Sequence, residues 1–335
     1  MRVISQYVST NLNAGPKAKV DVEKILNSKF NAKVYTLKMN GKEGKSQASR
    51  IFYLIKKVFF SLVYLKKNEL TIIQCPFTNF LPLMNISKNK IAFIHDLEGL
   101  RSNNISVEKK EIAFLKTCKY IVCHNDKMKK YLVENGVDSN RIFILEIFDY
   151  LCELEKTENT HNNKIINLIY TGNLSKATFL NQLEEAKMNF KINVYGVGND
   201  QFFNKKIRYK GKYLPDEIPS KIEGDLGLVW DGNYDDTLDS DGLKNYTKYN
   251  CPHKLSCYLA ANVPVIVWDK SAMAEFVKKQ NVGYTVSNLY DINNINLKDY
   301  NIKLKNAIKI GEKIRSGFYT KSVLNDILKI ENRRR

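Results

Sequence analysis

Several common signatures are missing from this 335-residue chain. Its six cysteines form no C-x-x-C pair; Cys75, Cys118, Cys123 and Cys257 stand in apolar surroundings, as buried free thiols do. A reducing cytosol is the expected compartment. No G-x-G-x-x-G is present, which removes the usual dinucleotide fingerprint. The longest apolar runs, such as residues 58–65, fall far short of the ~20 residues a membrane span needs. The chain opens directly on a strand-like stretch, residues 2–8, with no signal-peptide pattern, which again fits a cytoplasmic protein.

What is present describes a folded, basic protein. Hydrophobic content of 44% and aromatic content of 11% are those of a globular chain, and the length suits two domains, each able to bury a core. The net charge of +18 is uneven. Residues 1–150 hold 25 Lys and Arg against 13 Asp and Glu, whereas the rest holds 28 against 22. Such a first half favours anionic partners: nucleotide sugars, phospholipid surfaces or nucleic acid. An AT-rich genome, which inflates Lys everywhere, accounts for the total charge as readily, but less well for the asymmetry.

The first half alternates strand and helix. Strands are predicted at residues 3–8, 32–37, 70–74, 91–95, 120–123 and 141–147, with helices at 17–28, 48–67 and 126–135. Residues 152–164 are polar and unperiodic, a linker. Alternation resumes with strands at 165–170, 192–195, 226–230 and 263–268, and an amphipathic helix at 319–330 ends the chain. The class is α/β: two Rossmann-like, doubly wound domains facing a cleft.

Ligands of such sheets lie beyond the carboxyl ends of the strands, and four loops are candidates. The first is 11–19, where Gly15 admits close backbone approach and Lys17 and Lys19 can face anions; an ordinary turn is the plain alternative. The second, His95-Asp96-Leu-Glu98-Gly-Leu-Arg101, offers His95, Asp96 or Glu98 as a general base, the choice among them left open, or Asp96 as a helix cap. The third contains Gly172 and Asn173, suited to backbone contact with a diphosphate or to a tight turn. The fourth joins Trp230 and Asp231 to residues 249–258. There Lys254 is the candidate to neutralise a leaving diphosphate, with His253 assisting it or serving structure alone; Lys254, Ser256 and Tyr258 gather where a helix begins, and Asn250 and Tyr258 can orient a nucleotide or support the loop.

Two further stretches invite other readings. The acidic residues Asp235, Asp236, Asp239 and Asp241 suggest a metal motif, but a solvated loop accounts for them better. Residues 50–67 mix aromatics with two Lys pairs; they suit an anionic membrane surface and a core-packed helix equally.

Several motifs in order resemble a known family. Ala14-Gly15-x-Lys17-Ala18, Ile94-His95-Asp96-x-x-x-Leu100-Arg101, His124-Asn125-x-x-Met128 and Ile147-Phe148-Asp149-Tyr150-Leu151 come first. Gly172-Asn173-Leu174-Ser175, Gly227-Leu-Val-Trp230-Asp231-Gly232, Asn250-x-Pro252-His253-Lys254, Trp268-Asp269-Lys270 and Ser316-Gly317 follow. Together they resemble bacterial β-1,6-galactofuranosyltransferases of O-antigen and exopolysaccharide assembly. More distantly, the chain is similar to glucosyltransferases that extend GlcNAc on serine-rich adhesins.

The resemblance implies a GT-B architecture. Residues 1–151 would form the acceptor domain, 152–164 the linker and 165–315 the nucleotide-sugar domain, with 316–335 a terminal helix crossing back to the first. It implies inverting transfer with no metal or other cofactor, a UDP-sugar donor, and a glycan acceptor linked to polyprenyl diphosphate. Contact with the inner membrane face and self-association as a homo-oligomer are also expected. Asn250, His253 and Lys254 match the galactofuranosyl group, tilting the donor toward UDP-galactofuranose. A UDP-glucose enzyme is the nearest rival. A nucleic-acid-binding protein is the rival from another class, disfavoured by the absence of any recognised motif. A silent sugar-nucleotide sensor is weaker still.

Overall fold

The computed structural model describes residues 1–8, 15–39, 69–76, 89–154, 165–198, 201–202, 204–234 and 245–333, with isolated positions at 47, 51, 52, 55 and 59. Most of the helix expected at 48–67, most of the linker at 152–164, part of the loop at 11–19 and the acidic run from Asp235 to Asp241 lie outside the described residues. The chain divides into two compact units, Met1–Leu145 with Tyr319–Arg335, and Glu146–Phe318. Residues 146–151, expected in the first domain, thus group with the second. The reason is local: Tyr150 donates its backbone N–H to the Ile314 carbonyl at 3.3 Å and its hydroxyl to the Pro215 carbonyl at 2.6 Å.

The first unit is a six-stranded parallel sheet. Its strands are β1 (Arg2–Val8), β2 (Lys33–Met39), β3 (Thr71–Cys75), β4 (Lys90–Ile94), β5 (Tyr120–Cys123) and β6 (Ile142–Ile144), in the order β2-β1-β3-β4-β5-β6. β3, β4 and β5 are buried along their whole length, as central parallel strands covered on both faces must be. Helices cover them with defined ends. Lys17–Phe30 stops at Asn31, whose φ of 48° is left-handed. Asn125 caps Asp126–Glu134 by accepting from the Met128 N–H at 2.9 Å. The last helix, Phe318–Arg333, is tied to this unit through Glu331, which accepts from Lys119 Nζ and the Tyr120 hydroxyl, both at 2.6 Å.

The second unit holds β7 (Ile166–Asn173), β8 (Phe190–Val197), β9 (Ile207–Tyr209), β10 (Leu226–Val229), β11 (Val265–Trp268) and β12 (Gly283–Val286). Their order, β12-β11-β10-β7-β8-β9, is also all parallel. Read from β9, it is the doubly wound order 3-2-1-4-5-6, whose connections reverse direction between β7 and β10. The edge strands β9 and β12 were not anticipated from the sequence.

The helix His253–Ala260 lies against β10, and one glycine permits the approach. A Cβ on Gly227 would fall 2.3 Å from Cγ of Tyr258, inside any allowed contact. At the other end of the helix, Arg315 Nη1 donates to the Ala260 carbonyl at 2.6 Å and to Asn262 Oδ1 at 2.8 Å, serving the carbonyls the helix leaves open. Gly227→Ala is expected to lower stability by roughly 1–3 kcal/mol, the scale of core overpacking. Denaturant unfolding checks this, and an unchanged midpoint would contradict the packing described.

Candidate active site

Lys254, in the first turn of His253–Ala260, reaches the point where the second sheet reverses direction. Its Nζ donates to the Trp230 carbonyl at 2.9 Å, pairs with Asp231 Oδ1 at 2.9 Å and lies 3.4 Å from the Tyr170 hydroxyl. The same ammonium stands 4.7 Å from the centre of the Tyr170 ring. Tyr170 belongs to β7 and Trp230-Asp231 follow β10, so one cation joins both sides of the switch point. Burial works against the charge on Lys254, but the Asp231 carboxylate more than offsets it and holds the amine above its ordinary range. Gly172 and Asn173 end β7 and are exposed. Gly172 has a φ of 152°, and a Cβ there would stand in ordinary contact with the Tyr170 hydroxyl at 3.8 Å, which places this exposed glycine beside the Lys254 group. Asn173 caps the following turn by accepting from the Ser175 N–H at 3.0 Å.

The other residues expected at this site serve different purposes. Tyr258 is fully buried; its hydroxyl accepts from the Thr171 N–H at 2.8 Å and donates to the Leu228 carbonyl at 3.3 Å, tying β7 to β10. It supports the site from beneath and does not face a nucleotide. Ser256 is likewise buried, so hydroxyls do not gather at the helix start as expected. His253 turns toward the segment before the linker, stacking on Tyr150 at 4.8 Å with Nε2 3.4 Å from the Asp149 carbonyl. Trp230 is buried and donates Nε1–H to the Asn233 carbonyl at 2.8 Å. Asn250 is half-buried, and its Oδ1, itself buried, accepts no hydrogen bond from the described residues.

In the first unit, Gly15 is exposed ahead of the first helix. Lys17, expected to face an anion, instead forms a buried ion pair with Asp21 at 2.7 Å. Lys19 also turns inward. Its Nζ donates to the carbonyls of Gln6 at 2.9 Å, Pro76 at 3.1 Å and Gln74 at 3.5 Å, at the ends of β1 and β3. Burial lowers its pKa to about 8, against the opposing pull of Cys75, Asp96 and Glu23.

The loop after β4 is braced from several sides. His95 Nε2 meets Gln74 Oε1 at 2.7 Å, while the Gln74 amide nitrogen serves Ser5 Oγ and the Lys19 carbonyl. The neutral imidazole therefore keeps its proton on Nε2, and Nδ1 lies buried. Arg101 clamps two carboxylates, Asp96 Oδ2 at 3.2 Å and Glu98 Oε2 at 2.8 Å, each side chain about one-third exposed. Glu111 accepts the backbone N–H groups of Glu98 and Gly99, both at 2.9 Å. Among these groups Gln74, Glu111 and Tyr170 received no role from the sequence. Arg101 stood in a quoted motif, yet its pairing was not legible.

A family model described as the N-terminal domain of glucosyltransferase 3-like proteins matches residues 1–147, and one described as their C-terminal domain matches residues 168–327. The chain belongs to the glucosyltransferase 3-like family. It is similar to the β-1,6-galactofuranosyltransferase WbbI of Escherichia coli K12, at 29% identity with 94% of each chain covered. It is also similar to glucosyltransferase 3 of Streptococcus parasanguinis, at 24% identity with 78% of this chain and 79% of that one covered. Its fold is shared with HepE of Anabaena, solved in complex with UDP and glucose, at a TM-score of 0.64, 11% identity and 99% coverage of both chains. This member of the family is a glycosyltransferase of the GT-B class.

Two measurements check the supports of the site. Tyr258→Phe leaves the Thr171 N–H without its buried acceptor and is expected to destabilise the protein by about 1–3 kcal/mol. A melting point equal to wild type would remove the bridge from the account. His124, fully buried with Nε2 3.0 Å from the Ile94 carbonyl, holds the end of β4 just before His95. Burial lowers its pKa from 6.5 to about 4, so the unfolded chain takes up a proton first as pH falls. Stability present above pH 6.5 should be lost between 6.5 and about 4, by an amount on the order of 3 kcal/mol. Unfolding titrations of wild type and His124→Gln over that window test the sign, since the variant should lack this component.

Proposed function

We propose that this enzyme transfers galactofuranose from UDP-galactofuranose to a sugar hydroxyl of a cell-surface polysaccharide precursor, with inversion and without a metal. The observation that carries the reading is Lys254 at the switch point of the second sheet, beside the exposed end of β7 at Gly172. The galactofuranosyl donor is supported by the similarity to WbbI over nearly the full chain. A carboxylate of the loop from His95 to Glu98, on Asp96 or Glu98, takes the acceptor proton, while His95 orients the loop. The acceptor oxygen bonds to the anomeric carbon as the bond to the diphosphate oxygen breaks, and Lys254 receives the charge on the departing UDP.

The acceptor is a glycan on polyprenyl diphosphate, reached from the cytoplasmic face of the membrane. Ile51, Phe52, Ile55 and Phe59 are each more than half exposed and recur at helical spacing among basic residues, as a helix resting on an anionic surface requires. Among the described residues no helix is long and apolar enough to cross a membrane. Transfer of glucose from UDP-glucose is the second reading, favoured by the family's name and by the streptococcal relative.

Lys254→Ala should lower turnover by ~10²-fold or more, the scale of one lost transition-state charge contact. Wild-type rates would remove Lys254 from the chemistry. UDP release, measured with UDP-galactofuranose and UDP-glucose side by side and with and without EDTA, decides the donor. Loss of activity in EDTA would refute metal independence.

A further inference from the structure

Lys254 is not a bare cation awaiting an anion. Asp231 already lies 2.9 Å from it, and the carboxylate is the more exposed partner, with 35% of its side chain accessible against 15% for the lysine. A diphosphate brought to the ammonium is therefore brought to a carboxylate as well. Two other groups, the Trp230 carbonyl and the Tyr170 ring and hydroxyl, also hold the ammonium, so its position does not depend on Asp231 alone.

We propose that Asp231 is a specificity residue that makes this site prefer a sugar-bearing nucleoside diphosphate over the nucleoside diphosphate released from it. The proposal rests on the reading of Lys254 as the receiver of the diphosphate. When phosphate oxygens take over the ammonium, Asp231 loses its counter-ion and needs hydrogen-bond donors. A donor sugar supplies them from its hydroxyls, and the solvent-exposed backbone of Gly172 and Asn173 lies at the end of the same strand as Tyr170. Free UDP has no such hydroxyls at that position and carries an additional charge after the sugar leaves. It therefore faces Asp231 uncompensated, and repulsion favours its release. The same carboxylate that accepts the substrate thus rejects the product.

The test is calorimetric titration of the full chain with UDP, UDP-galactofuranose and UDP-glucose, using wild type, Asp231→Asn and Lys254→Met. Wild type should bind a sugar nucleotide more tightly than UDP. Asp231→Asn should bind UDP about tenfold more tightly than wild type does, with no such gain for the sugar nucleotides, so that the preference shrinks. UDP binding by Asp231→Asn no tighter than wild type, alongside loss of UDP binding in Lys254→Met, overturns the role of Asp231 and leaves the diphosphate site standing. Unchanged UDP binding in Lys254→Met overturns the diphosphate reading itself, and this proposal with it. Should Asp231→Asn fail to fold, Asp231→Ser removes the same charge and carries the same expectations.

Discussion

Each parallel sheet leaves a gap where its strand order reverses, and in this protein a lysine fills both gaps. In the second sheet Lys254 joins the Trp230 carbonyl after β10 to Tyr170 of β7; in the first, Lys19 joins carbonyls at the ends of β1 and β3. The common constraint is the outward-pointing carbonyls at the carboxyl ends of diverging strands, which need donors once covered. The two solutions differ in electrostatics. Lys254 has a carboxylate at contact distance and stays firmly charged, whereas among the described residues Lys19 has backbone carbonyls at contact and its pKa falls to about 8. A lysine with an exchangeable counter-ion can trade partners with a ligand. One locked among backbone carbonyls is a fastener for the sheet.

The same distinction explains why some site residues could be read from the sequence and others could not. The placement of Lys254 at the end of the second sheet was legible because it stands in the first turn of a helix ahead of a buried strand. Lys17 looked equivalent in the first loop, but its partner Asp21 lies one helical turn along and captures it in a buried pair. For Tyr258, expected either to orient a nucleotide or to support the loop, the sequence did not reveal what it supports. Its spacing from Lys254 places both on one helix, but the glycine that receives its ring, Gly227, lies on a different element and reveals itself only in three dimensions.

Fold class followed from the alternation of apolar runs, and the central strands were the easiest to find because both their faces are covered. The missed strands β9 and β12 are the sheet edges, short and partly exposed, where hydrophobic patterning is weakest. The helix Tyr300–Arg315 escaped for another reason. Its buried face includes Lys303 and Gly311, the latter pressed against the Leu259 carbonyl, so the apolar period is diluted by residues chosen for close approach and pairing. The ending of the first domain was misplaced because Tyr150, apolar in pattern, spends its hydrogen bonds on residues far ahead in the chain.

At the loop after β4 the choice among three bases turns on presentation as much as basicity. Gln74 can orient its amide only one way, since its nitrogen serves Ser5 and the Lys19 carbonyl; its oxygen therefore holds the His95 proton on Nε2. The basic nitrogen that remains is buried, so His95 as found orients the loop and does not present a lone pair at its surface. Asp96 and Glu98 do present oxygens, and they share Arg101 as a common ion-pair partner. One guanidinium between two carboxylates leaves a net negative charge on the loop. An acceptor hydroxyl that hydrogen-bonds to either carboxylate weakens that carboxylate's hold on Arg101 and strengthens the other's. The two carboxylates thus share one clamp, while Glu111 holds the loop's backbone from behind by accepting the Glu98 and Gly99 N–H groups.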